Sequence, residues 1–168
     1  MSQINQEQIN KKSHDEYMQH ACDLSELSIR RGGGPFGAII INKSTGEIIG
    51  KGHNMVTINR NPTLHAEMVA ISDACNTLDT HDLSGCALYT SCEPCPMCLS
   101  ASYWAHIDTI YFGNTKEGAA RIGFDDSFIY DEIGKTMEER KIHMEQIYNE
   151  NVSVAFHQWI EKDDKVRY

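Results

Sequence analysis

The chain has 168 residues, 40% of them hydrophobic and 23% charged, which suits one globular domain with a sizeable core and leaves little for a second. A net charge of −9, with basic residues gathered only as the doublets Lys11-Lys12, Arg30-Arg31 and Arg140-Lys141, argues against long nucleic acid as a partner. The polar start lacks a signal peptide's apolar run and no segment approaches the roughly 18 apolar residues of a membrane span, so the expected place is the cytoplasm, with the six cysteines reduced.

Residues 1–13 read as a polar, mobile lead-in. Over 14–31 the apolar residues Tyr17, Met18, Ala21, Leu24, Leu27 and Ile29 recur at helical spacing, and Gly32-Gly33-Gly34-Pro35 stops the helix. Those glycines lack the lysine–serine or glycine fingerprint of a phosphate cradle. Segments 36–41 and 47–52 read as a hairpin turned by Asn42-Lys43-Ser44-Thr45-Gly46. A helix over 64–78 follows, with Thr63 its expected N-cap. Residues 86–90 read as a short buried strand, and Pro94 suits the first position of a helix reaching Trp104. A strand over 109–112, a short helix over 116–121 and a mixed stretch over 126–133 come next. Residues 144–149 read as a strand or extended tail, and 158–164 as a polar helix. This alternation of strands and helices predicts the α/β class, with no internal repeat.

The chemistry concentrates in His65-Ala66-Glu67 and Pro94-Cys95-Pro96-Met97-Cys98. One neutral imidazole and two thiolates suit Zn²⁺, and three protein ligands leave a fourth tetrahedral position for water. Cys95 and Cys98, three residues apart, share one face of a helix whose N-terminal partial charge helps the thiols ionise. Glu67 is not needed as a ligand and is placed to move the water's proton. A closed structural zinc would need a fourth ligand, for which Cys92 is the candidate. Cys92-x-x-Cys95-x-x-Cys98 also fits an iron–sulfur run, but Ser102 stands where its fourth cysteine belongs. Cys22, Cys75 and Cys86 read as small buried hydrophobes. The pairing of His-x-Glu with Pro-Cys-x-x-Cys resembles the signature of zinc deaminases.

With those residues the chain resembles the cytidine deaminase superfamily, and within it the small bacterial guanine deaminases. The closer likeness rests on Gly33-Gly34-Pro35-Phe36-Gly37-Ala38, Gly52-His53-Asn54, the stretch from Tyr89 through Cys98, Tyr103-Trp104-Ala105, the stretch from Gly123 through Tyr130, and the final Tyr168. It spans roughly Asp15 to the end and departs at the longer N-terminus and over 108–121. The resemblance implies an α/β, three-layer cytidine-deaminase-like fold with a central five-stranded mixed sheet and helices on both faces. It also implies a homodimer whose C-terminal segment crosses to the partner and helps close its pocket.

By the same resemblance one Zn²⁺ per subunit is held by His65, Cys95 and Cys98, and Glu67 shuttles protons. Asn54 hydrogen-bonds a purine, Phe36 and Trp104 line or stack on it, and Ala66 belongs to the pocket. Asp126 is a second polar anchor that shares in proton transfer, and Tyr168 covers the other subunit's site. Read from the residues alone, Asn54 also fits a turn, Phe36 and Trp104 a core, Asp125-Asp126 a solvated surface and Tyr168 a frayed end. The implied reaction is hydrolysis of guanine at C2 to xanthine and ammonia, with hydroxide on zinc as the attacking group. Another base or nucleoside (guanosine, cytosine, cytidine or a triazine) is the rival substrate. A tRNA adenosine fits the acidic balance less well. The rival outside catalysis is a zinc-stabilised binding module.

Overall fold

A computed structural model describes residues 11–168. Of the lead-in expected over 1–13, residues 1–10 lie outside the described residues, and Ser13 is an anchored helix cap. Its hydroxyl accepts from the Glu16 N–H at 3.2 Å, while the Glu16 carboxylate accepts from the Ser13 N–H at 2.7 Å. This reciprocal capping box opens α1 (His14–Arg30). There follow β1 (Gly37–Asn42), β2 (Ile48–His53), the short α2 (Val56–Asn59), α3 (Ala66–Leu78), β3 (Cys86–Cys92), α4 (Pro96–Trp104), β4 (Thr109–Asn114) and α5 (Lys116–Arg121). The described residues up to Asp126 form one compact unit and residues 127–168 a second.

In the first unit the strand order is β2-β1-β3-β4. Strand β1 is antiparallel to both neighbours and β3 is parallel to β4, so β2, β3 and β4 end on the same edge of a mixed sheet. The α/β class and the mixed sheet agree with expectation, but among the described residues the sheet has four strands and not five. Residues 144–149, expected as a strand or an extended tail, have no ladder, which leaves the second of those readings. Strand β4 is therefore an edge.

Three layers result. Tyr17, Met18 and Leu24 of α1 pack on Ile39, Ile41, Ala87 and Tyr89 on one face. On the other, Ala66, Ala70 and Ala74 of α3 pack on Ala38, Ile40, Ile49 and Leu88. Successive side chains of β1 thus serve opposite faces, which is why its apolar run is continuous. The alanine stripe brings α3 hard against β2. A Cβ on Gly52 would lie 2.1 Å from the Ala66 carbonyl oxygen, and one on Gly50 2.4 Å from that of Ala70. Gly52→Ala should consequently destabilise the fold by about 3 kcal/mol, as overpacking against backbone does. Chemical denaturation of both proteins checks this.

Two helix starts differ from expectation. Thr63 does not cap α3, because its hydroxyl donates to Asn61 Oδ1 at 2.7 Å, and His65 takes the N-cap. Pro96, not Pro94, is the first residue of α4, with Cys95 as N-cap. Strand β3 runs on to Cys92, which pairs with Asn114, and the Glu93 N–H donates to the Asn114 carbonyl at 2.8 Å, so the chain is still extended there.

The second unit contains α6 (Ser127–Ile133), a 3-10 turn (Met137–Glu139) and α7 (Val154–Glu161). Helix α7 starts before the expected 158–164 helix and is apolar rather than polar, carrying Val154, Phe156, Trp159 and Ile160. Glu132 ties this unit together: its carboxylate accepts from Lys135 Nζ and the Lys141 N–H, each at 2.6 Å. None of residues 127–168 is buried.

Candidate metal centre and active site

The N-termini of α3 and α4 meet at the carboxyl edge of the sheet, where ligands collect in open α/β folds. His65 Nδ1 lies 3.5 Å from Cys95 Sγ and 3.5 Å from Cys98 Sγ, and the two sulfurs are 3.6 Å apart. A tetrahedral zinc with ordinary bond lengths needs about 3.8 Å between sulfurs and about 3.6 Å from nitrogen to sulfur. The three atoms match that geometry. Among the described residues they are the only group of three or more His, Cys, Asp or Glu ligands this close together. Cys92 does not complete a closed set, because its thiol donates to the Thr115 carbonyl at 3.7 Å.

Proton chemistry points the same way. The Cys95 thiol is pulled down to about 4, first by its hydrogen bond with Cys98 and, after the opposing effect of burial, by His65 beside it. Cys98 is pushed upward by its hydrogen bond with Cys95, by burial and by the nearby Glu67. The trio thus yields one thiolate readily and a second only to a cation. His65 is raised mainly by its hydrogen bond with Cys95.

Glu67, buried in the first turn of α3, accepts from Thr90 Oγ1 at 3.1 Å, and its other oxygen accepts from the Cys98 thiol at 3.5 Å. Burial raises its pKa, so it takes up a proton more readily than an exposed glutamate. A carboxylate held beside the ligands, yet outside the ligand group, has the placement of a proton carrier.

Other expected site residues gather on this edge. Asn54 directly follows β2 and is buried, its N–H donating to the Phe36 carbonyl at 3.0 Å. Phe36 precedes β1 and meets Phe124 edge-on, with ring centroids 4.9 Å apart. Asp126 is half-buried, and its carboxyl is raised first by burial and then by Cys95, which puts it within electrostatic reach of the ligands. Ala66 is fully buried as the first residue of α3. Trp104, 63% exposed, closes the far end of α4, about 9 Å along the axis from Cys98. Tyr168 is exposed in the second unit.

A model of the cytidine and deoxycytidylate deaminase zinc-binding region matches residues 11–114. The chain belongs to the cytidine and deoxycytidylate deaminase family. Among its relatives in that family, a guanine deaminase of Bacillus subtilis is 43% identical over 157 residues, 93% of this chain and 99% of its own. The X-ray structure of guanine deaminase from Bacillus subtilis superposes with a TM-score of 0.89 at 43% identity, covering 94% of this chain and 99% of that one. A structure of guanine deaminase from Nitrosomonas europaea is 34% identical with a TM-score of 0.66, covering 68% of this chain and 65% of its own. A tRNA-specific adenosine deaminase of Aquifex aeolicus is 42% identical, but over only 57% of this chain and 62% of its own. The ligand cluster of this deaminase-family chain is compatible with one zinc ion.

Sequence reasoning missed Thr90 and Phe124. Thr90 sits in a strand buried along its whole length, so no alternation of polar and apolar residues marked it. Phe124 lies beside the Asp125-Asp126 pair that drew notice, and a single exposed aromatic carries no periodic signal.

Proposed function

We propose that this protein hydrolyses guanine to xanthine and ammonia. The observation that carries the reading is coverage: likeness to the Bacillus subtilis guanine deaminase runs over 93% of the chain, past the shared zinc region, whereas that to the Aquifex aeolicus tRNA-specific adenosine deaminase stops at 57%. The net charge of −9 also disfavours a polyanionic substrate.

Zinc on His65, Cys95 and Cys98 supplies a Lewis acid that makes water ionisable near neutral pH. The protein's own groups do the rest. Glu67 takes a proton from the attacking water and delivers it to ring N3, which makes C2 more electrophilic. It then takes the remaining proton from the new C2 hydroxyl and passes it to the amino group, with Asp126 sharing that step, so the C–N bond breaks, C2 keeps its oxygen as a carbonyl and ammonia leaves. Asn54 hydrogen-bonds the purine, and Asp126 faces guanine's N–H donors. Phe36 and Trp104 cover the ring faces, and Ala66 lines the pocket floor.

The chain acts in this reading as a single deaminase domain of the cytoplasm, whose C-terminal segment seats on a second copy and whose Tyr168 caps the partner's pocket. Support comes from each unit separately. The second unit leaves Ile142, Ile147, Tyr148, Phe156 and Ile160 at least 68% exposed. The first has a free β4 edge beside a concavity lined by His14, Met18, Tyr89, Ile110, Tyr111 and Phe112. Surfaces of this kind are ordinarily covered. No described helix is long and apolar enough to cross a membrane.

Ammonia release from a panel of purine and pyrimidine bases and nucleosides tests the substrate. Guanine should lead by at least about tenfold, the discrimination a site gains by pairing a substrate's polar groups. Faster turnover of a nucleoside or pyrimidine would overturn the assignment. In the same assay a chain ending at Arg167 should lose activity without losing stability, and equal activity would end the capping role.

A further inference from the structure

Asn54 is held at every polar atom except one. Its side-chain Oδ1 accepts from the Gly34 N–H at 3.3 Å and from the Val56 N–H at 3.2 Å. Both partners are backbone donors, so the amide oxygen must face them and Nδ2 must face the other way. The backbone carbonyl of Asn54 accepts twice as well, from Ser28 Oγ at 3.0 Å and from His53 Nδ1 at 3.2 Å. Ser28 is fully buried, and its own carbonyl takes the Gly33 N–H at 2.8 Å. The approach is tight: a Cβ on Gly33 would lie 2.3 Å from the Asn54 carbonyl oxygen.

The tautomer of His53 follows from its other neighbour. Arg31 Nη1 lies 3.3 Å from His53 Nε2. A guanidinium has only donors, so Nε2 accepts and the ring proton sits on Nδ1, where it can donate to the Asn54 carbonyl. Were the proton on Nε2 instead, the Nδ1 lone pair would oppose that oxygen. Arg31 thereby selects the ring form that holds the next residue in place.

We propose that Arg31, His53 and Ser28 are positioning residues that lock Asn54 with its Nδ2 amide turned outward, so that the site demands a hydrogen-bond acceptor, such as O6 or N7, on the purine. This rests on the reading of Asn54 as a purine contact. It goes further by assigning the donor atom, the polarity of its partner and the three residues that hold it. None of the three touches the substrate. They act by removing the freedom of Asn54 to rotate its amide or withdraw.

A double-mutant cycle on the zinc-loaded enzyme tests this, with guanine as substrate. Arg31 is exposed, so Arg31→Met should fold with unchanged zinc content and unfolding midpoint. It should lower kcat/KM about fivefold, the scale of one lost hydrogen bond, with most of the change in KM. Arg31→Lys, which keeps a donor, should recover most of the loss. His53→Ala, where it folds, should cost more than Arg31→Met. In an Asn54→Ala background neither change should cost anything further, because the group being positioned is gone. Equal losses in both backgrounds, or no loss from Arg31→Met, would overturn the proposal while leaving Asn54 as a contact. No loss from Asn54→Ala alone would instead remove the contact, and the positioning role with it.

Discussion

Glu67→Gln is expected to reduce ammonia release by at least about 10³-fold, within the range of a lost general acid–base group, while zinc stays bound. The amide fits where the carboxylate was. Its oxygen can still accept from Thr90, and its NH₂ can donate toward the Cys98 sulfur, in place of the thiol that donates to Glu67 at 3.5 Å. What is lost is the ability to pick up and release a proton. Stability should not suffer either. Burial raises the Glu67 pKa, so its contribution is fully present below the unfolded value and is lost as pH rises through the folded one. The neutral amide avoids that penalty, and metal-stripped Glu67→Gln should unfold at a Tm no lower than its parent at pH 7. Metal analysis and rate measurement together check the claim, and near-native turnover by the variant would remove Glu67 from its role.

Cys98→Ala should bring activity to background and leave the protein with far less than one zinc per chain. Cys98 is fully buried and stands 3.6 Å from Cys95 Sγ and 3.5 Å from His65 Nδ1, so its loss strips one corner from the tetrahedron. The remaining pair gives only two donors, too few for an ion that prefers four. Because bound metal stabilises the folded state by mass action, this variant should also lose the rise in Tm that added zinc gives the parent. Cys95→Ala should behave alike, whereas Cys92→Ala should keep its zinc, since Cys92 is engaged with Thr115. Full, tight occupancy in the Cys95 and Cys98 variants would defeat the ligand assignment.

Much of this site could be read before any coordinates. His65, Cys95 and Cys98 announce themselves because few side chains can bind zinc, and because a three-residue step puts two sulfurs on one helical face. The α/β alternation was equally plain, as was α1, whose apolar stripe and glycine stop are local features. Boundaries were harder. Strand β3 outran its expected end since its last residues are held by β4, a partner that no window around Thr90 contains.

The sequence alone determined the fold class and singled out the cluster of His65, Cys95 and Cys98 with Glu67 beside it, because backbone periodicity and metal-binding side chains are written in residue type and short spacing. Only the tertiary structure decided that a buried Thr90 holds Glu67, that Phe124 meets Phe36, and that Asn54 presents its amide through Arg31, His53 and Ser28. It also decided that four strands, not five, pair among the described residues. Each of those outcomes depends on groups distant in sequence competing for the same hydrogen bonds and the same space, which local pattern does not encode.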